Sequence, residues 1–208
     1  MTKNKIKILI ADDHKIVRIG LSALCATARD MTVIGEAEDG DSAVSTAGKL
    51  HPDVIVMDLM MPGKDGAEAT REILAKLPDA KVLILTSYTT SDLIAQALAN
   101  GATGALLKTV DDEVFLNAIR AIASRKKFIQ SEIATMLEED PPIPPLTPRQ
   151  SEVLHSLTRG LSNRDIATQL GMSETRVEQH VNALLTKIGA ANRTEAVTIA
   201  LRKQLLKI

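Results

Sequence analysis

The chain has 208 residues, 45% of them hydrophobic and 25% charged, with a formal net charge of −1. That length suits one large domain or two smaller ones, and that composition suits a soluble globular chain. No apolar run approaches the roughly 18–20 residues of a membrane helix, and a lone cysteine, Cys25, excludes an internal disulfide or a cysteine-rich zinc site.

Lys3, Lys5 and Lys7 precede an apolar stretch that Asp12 and Asp13 interrupt, a poor signal peptide, so a cytoplasmic protein is expected. Tyr88, Phe115 and Phe128 are the only aromatic residues, too few for single-strand binding by base stacking. The net charge hides an asymmetry. Residues 1–140 hold 16 Lys and Arg against 21 Asp and Glu, a balance of −5; residues 146–208 hold 9 against 5, a balance of +4. A basic C-terminal part is compatible with a polyanion such as DNA.

In chain order, five short apolar runs come first: Ile6–Ala11, Thr32–Ala37, Val54–Asp58, Val82–Thr86 and Gly104–Leu107. Between them lie helically spaced segments such as Ile16, Leu21, Leu24 and Leu93, Ala97, Leu98. Near-continuous apolar strands alternating with helices predict a doubly wound α/β domain with a parallel sheet. Cys25 falls on the first helical pattern and is read as an inert buried thiol. Asp53, after Pro52, is read as a turn residue, and His14 and His51 as structural or solvated. Four of the eight prolines lie within 141–145, marking an extended linker that a short helix over 130–137 precedes. Only helical signals follow. Thr147 with Pro148, Ser162 and Ser173 are candidate N-caps of three helices, with Gly171 ending the second, and a fourth runs from about Asn192 to Leu201.

The acidic residues cluster where chemistry is expected. Ligands of open parallel sheets bind at the carboxyl ends of the strands. Asp12 and Asp13 follow the first strand, Asp58 ends the third, Thr86 ends the fourth and Lys108 follows the fifth. Three close carboxylates call for a hard cation, for which Mg2+ with oxygen ligands is suited. Asp12 or Asp13 would hold it with Asp58 and a backbone carbonyl. An electrophilic phosphoryl group would find Asp58 as nucleophile, with Lys108 and the Thr86 hydroxyl to neutralise its oxygens.

Ile10-Ala11-Asp12-Asp13-His14, Asp58-Leu59-Met60-Met61-Pro62 with Gly66, Leu85-Thr86-Ser87 and Leu107-Lys108-Thr109 resemble, in order and spacing, the motifs of two-component receiver domains over about residues 1–125. The resemblance implies a (βα)5 flavodoxin-like fold. It implies that Asp58 is the phosphoacceptor, that Asp12, Asp13 and the Met60 carbonyl join Asp58 around Mg2+, and that Thr86 and Lys108 contact the phosphoryl group. The donor would be a sensor histidine kinase. The receiver would catalyse only its own phosphorylation and dephosphorylation.

One position departs from that family. Receivers usually carry Tyr or Phe three residues before the lysine; here it is Ala105. Activation would then rely on movement around residues 87–101, or phosphorylation would bias the protein only weakly. By family position Met60 and Tyr88 flank the approach of hydrolytic water, and their bulk predicts slow self-dephosphorylation.

The helices around Gly171 have helix-turn-helix spacing, which would place the second of them in the major groove. Its outward positions are Thr175, Arg176, Glu178, Gln179, Asn182 and Lys187. The segments 146–154, 160–163 and 165–167, with Val177, His180, Lys187 and 192–196, resemble the four-helix DNA-binding domain of the LuxR/NarL/FixJ type. That resemblance implies double-stranded promoter DNA and RNA polymerase as partners and a homodimer on activation. Arg164, Arg176, Lys187 and Arg193 are candidate phosphate contacts, with His180 a further one. Many relatives carry Lys at the positions of Glu178 and Asn182, and a Glu facing phosphates weakens salt-dependent affinity. The expected organisation is a receiver over 1–126, a linker over 127–145 and the helix-turn-helix domain over 146–208.

Two other readings compete. A phosphatase forming an aspartyl-phosphate would need a carboxylate two residues after Asp58, where Met60 stands. A receiver whose helical domain binds mainly protein would account for Glu178.

Overall fold

Residues 5–87, 91–144, 146–203, 205 and 206 are described by a computed structural model. The chain divides into two units, Met1–Pro141 and Pro142–Ile208.

The first unit is a parallel sheet in the order β2-β1-β3-β4-β5-β6. Its strands are β1 (Ile6–Ala11), β2 (Met31–Ala37), β3 (Val54–Met57), β4 (Lys81–Thr86), β5 (Gly104–Leu107) and β6 (Phe128–Ile129). Side chains of successive strand residues point to opposite faces, so each strand feeds two cores. Leu9, Ile55, Met57 and Ile84 pack on one side with α2 (Gly40–Leu50), α3 (Gly66–Lys76) and α4 (Ser91–Ala99). Ile8, Ile10, Val54, Val56 and Leu83 pack on the other with α1 (Lys15–Thr27) and α5 (Asp112–Ala123). The doubly wound expectation holds, with strand limits shifted by one residue at three ends.

Two local expectations change. The short helix expected over 130–137 forms as α6 (Ser131–Glu139), and with β6 it joins the sheet unit, although both fall in the stretch assigned to the linker. β6 pairs with β5, Ile133 of α6 is fully buried, and Met136 and Leu137 pack beside it. Burial of these apolar side chains favours docking over an extended tether. On α1, Ile16 is 85% exposed. The buried stripe of that helix runs through Arg18 and Cys25, with Leu21 and Leu24 partly covered. Asp53 ties the start of β3 to β1, as its carboxylate accepts the Lys7 N–H at 2.9 Å.

Among the described residues the second unit is four helices: α7 (Pro148–Thr158), α8 (Asn163–Leu170), α9 (Glu174–Ile188) and α10 (Arg193–Arg202). Thr147, Ser162 and Ser173 each accept an N–H of the first turn, as their caps require. Gly171 closes α8 with φ 63°, a left-handed conformation that glycine adopts without steric cost and that turns the chain into α9. Val153, Leu157, Ile166, Val177, Leu184 and Ile199 fill the interior. Among the described residues no helix is long and apolar enough to cross a membrane.

Candidate functional site

The carboxyl ends of β1, β3, β4 and β5 bring the acidic site together. Asp12 and Asp58 are buried, at 2% and 4% exposure. Asp58 continues the ladder beyond β3, its N–H donating to the Ala11 carbonyl at 2.8 Å. Gly66, at the start of α3, lies so close behind that a Cβ there would stand 2.0 Å from the Asp58 carbonyl oxygen. The loop between them is further held by Lys64, which bridges Asp41 at 2.7 Å and Glu72. Lys64 and Lys76 hold the Glu72 carboxyl down to about 2.

Lys108 joins the two acids. Its Nζ lies 2.6 Å from Asp12 Oδ2 and 2.9 Å from Asp58 Oδ2. The second Asp58 oxygen accepts the Leu59 N–H at 2.8 Å. Burial pushes the Asp58 carboxyl above its ordinary value; Lys108 pulls it down, and the negative charge of Asp12 adds to the rise. For Lys108, burial opposes the charged form, but Asp12 and Asp58 together outweigh it and hold the ammonium above its ordinary value. Thr86 is fully buried, and its carbonyl accepts the Lys108 N–H at 2.8 Å.

A ligand atom from each of Asp12, Asp13, His14 and Asp58 falls within 4.8 Å of the others. Asp13 Oδ1 is buried and accepts no hydrogen bond among the described residues. His14 Nδ1 stands 2.6 Å away. A buried oxygen left over among three carboxylates fits a hard divalent cation. Met60 is half-buried in the loop after Asp58, while Tyr88 lies outside the described residues.

Sequence reasoning missed Arg18. It is a cation on the buried stripe of α1, three and seven residues before Leu21 and Cys25. A charge at a core-facing helix position was the available signal.

In the second unit, Arg164, Thr175, Arg176, Glu178, Gln179 and Asn182 are exposed, and His180 is half-buried. Lys187 and Arg193 are half-buried and bond within the domain. Lys187 Nζ donates to Gln150 Oε1 at 3.1 Å, tying α9 to α7. Arg193 donates to the Leu161 carbonyl and to Asn163 Oδ1, at the start of α8. Both positions face neighbouring helices, so their donors meet backbone and amide oxygens of the domain itself. Glu152 pairs with Arg149, and Glu195 accepts the Ala191 N–H.

A parallel α/β domain with buried acids and a lysine at its strand ends, joined in one chain to a helix-turn-helix, defines a receiver coupled to a DNA-binding module. Residues 8–120 match the response regulator receiver domain, and residues 144–200 match the bacterial regulatory proteins of the luxR family. The chain therefore belongs to the LuxR-type response regulators. It is 39% identical to the transcriptional regulatory protein YdfI of Bacillus subtilis (strain 168), covering 97% of this chain and 98% of that one. It is 36% identical to LiaR of the same organism over 97% and 99%. Among solved structures, the response regulator ChrA of a heme-sensing two-component system is 36% identical, with TM-score 0.59 over 98% of this chain and all of that one. RcsB of Salmonella enterica serovar Typhimurium, bound to promoter P1flhDC in the presence of a phosphomimetic, is 26% identical, with TM-score 0.71 over 96% and 99%.

Proposed function

We propose that Asp58 accepts a phosphoryl group from a sensor histidine kinase, and that this controls dimerisation and binding of double-stranded promoter DNA by the helical domain. The observation that carries the reading is Lys108 Nζ, which contacts Asp58 Oδ2 and Asp12 Oδ2 at once. A nucleophile beside a fixed ammonium, with further carboxylates to recruit a cation, suits phosphoryl transfer, where catalysis is mainly positioning and charge neutralisation.

An Asp58 oxygen attacks phosphorus, and the bond from phosphorus to the donor's imidazole nitrogen breaks. Lys108 and the Thr86 hydroxyl then stabilise the acyl phosphate oxygens. Asp12, Asp13, Asp58 and the Met60 carbonyl would hold Mg2+. When bound, that ion supplies positive charge to phosphoryl oxygens. The receiver acts on itself alone and turns over no separate substrate. In the second unit, α9 enters the major groove. Arg176, Gln179 and Asn182 are offered to base edges, with Thr175 and Glu178 beside them. Arg164 and His180 lie toward the backbone. The working form is a cytoplasmic homodimer that acts with RNA polymerase.

The test is incubation of the whole protein with Mg2+ and a small-molecule phosphodonor, followed by mass measurement. A phosphoryl adduct on the native chain that Asp58→Asn abolishes is the expected result, together with tighter, salt-sensitive DNA binding by the adduct. An adduct of equal yield on Asp58→Asn overturns the assignment.

A further inference from the structure

We propose that Arg18 is a positioning residue for the acidic site, fixing the peptide plane that carries Asp12 and Asp13 so that both carboxylates meet a divalent cation. The inference rests on the reading of that cluster as a cation site.

Arg18 is 9% exposed on the sheet-facing side of α1. Its Nη1 donates to the Asp12 backbone carbonyl at 2.7 Å. That carbonyl belongs to the peptide unit linking Asp12 to Asp13, which is planar and stiff. Holding its oxygen therefore sets the direction in which Asp13 leaves the chain. The rest of Asp12 is held as well. Its N–H donates to the Ala37 carbonyl at 3.1 Å, and its Oδ1 accepts the His14 N–H at 2.8 Å. Asp13 is held less firmly: among the described residues its Oδ1 accepts no hydrogen bond, and the side chain beside it, His14 with Nδ1 at 2.6 Å, is itself 69% exposed. The Arg18 bond fixes the backbone unit from which Asp13 departs.

The guanidinium is itself braced from β2. Nε donates to Glu36 Oε2 at 3.2 Å, Glu38 Oε2 lies 4.0 Å from Nη2, and Glu36 Oε1 accepts the Ser22 hydroxyl at 3.1 Å. These carboxylates offset the charge of Arg18. Its contribution to the site is therefore geometric, not a positive charge competing with the cation. Outer groups that orient ligands commonly change metal affinity by about 10–100-fold when removed.

The experiment titrates the full chain with Mn2+, a hard oxygen-seeking probe, and reads free ion by electron paramagnetic resonance. Phosphodonor is absent, so no activity enters the readout. The native protein is expected to bind one ion, Asp13→Asn to lose it, and Arg18→Ala to weaken it about tenfold. Glu36→Gln leaves the guanidinium present but loosens its brace, and is expected to weaken binding by a smaller factor. It also serves if Arg18→Ala fails to fold. A merely structural role would lower the melting temperature of these variants and leave their Mn2+ affinity within twofold of native, which overturns the proposal. If the native chain binds no Mn2+, or Asp13→Asn binds it equally well, the cation-site reading itself falls, and this inference with it.

Discussion

The side-chain oxygen of Gln130 accepts the backbone N–H of Leu107 at 2.8 Å. Gln130 also donates its own N–H to the Ala105 carbonyl at 3.0 Å. The side chain thus extends the β5–β6 ladder by one rung where the two-residue β6 has run out, and it does so next to Lys108. Gln130→Ala leaves a half-buried amide unpaired and is expected to lower receiver stability by about 1 kcal/mol. Gln130→Glu keeps the acceptor. Amide exchange at Leu107 is the direct measurement: faster exchange in Gln130→Ala and native-like protection in Gln130→Glu are expected, and equal rates in all three proteins would refute the role.

Ala105 is fully buried in the same core as Ile133 of α6. The space over β5 is occupied by this protein's own helix. Ala105→Phe is therefore expected to overpack and cost about 1–3 kcal/mol. Ile133→Ala alone costs about 2–5 kcal/mol. The double variant should be more stable than the two single losses added together, measured by urea unfolding. An aromatic ring at 105 accepted without loss would show that the site is open.

Asp58 is buried, and burial raises its carboxyl above the ordinary value. The sign follows: a raised acid favours the folded state while protonated and loses that advantage as pH climbs through the raised value. Asp58→Asn should therefore raise the melting temperature at pH 7 without divalent cations. The gap to the native protein should close as pH falls towards 4. A variant less stable than native at pH 7 contradicts this.

Cys25 is fully buried, and burial pushes its thiol from 9.0 up to about 11. The neutral thiol is the stabilised form, so its contribution is complete below 9 and disappears as pH rises through 11. Two pKa units correspond to at most about 3 kcal/mol. The native protein should lose more stability than Cys25→Ala between pH 8 and pH 11. Parallel pH profiles for the two proteins would sink the argument.

On α9, Arg176 and Glu178 are both exposed. Arg176→Ala is expected to weaken promoter binding about tenfold. Glu178→Lys is expected to tighten it and to steepen the salt dependence by about one unit of log–log slope. Lys187→Ala should act on domain stability, since its ammonium is bonded to Gln150. Fluorescence anisotropy over a salt series separates these effects.

The acidic site was legible because each of its residues follows a short apolar run. Strand ends and acids coincide at Asp12 and Asp58, Thr86 closes a further strand, and burial of both sheet faces makes those runs conspicuous. The helix caps Thr147, Ser162 and Ser173 were legible because capping is local chemistry. β6 was not, since Phe128–Ile129 is too short to show a period and its pairing depends on a distant strand. The partners of Arg18 and Lys187 within the protein were not legible for one reason. A charge on a helix reads as a solvated face until other elements bring in the partners that meet it, Asp12 and Glu36 for one and Gln150 for the other.

β6 has a consequence for handling the domain in isolation. An uncovered β5 would present a row of unpaired donors and acceptors, a template on which another molecule can add a strand. β6 and Gln130 occupy that row. A chain truncated after residue 126 would bare it, together with the apolar bed of Ile133, and would tend to self-associate or precipitate. One truncated after residue 141 keeps its own cover and should remain monodisperse.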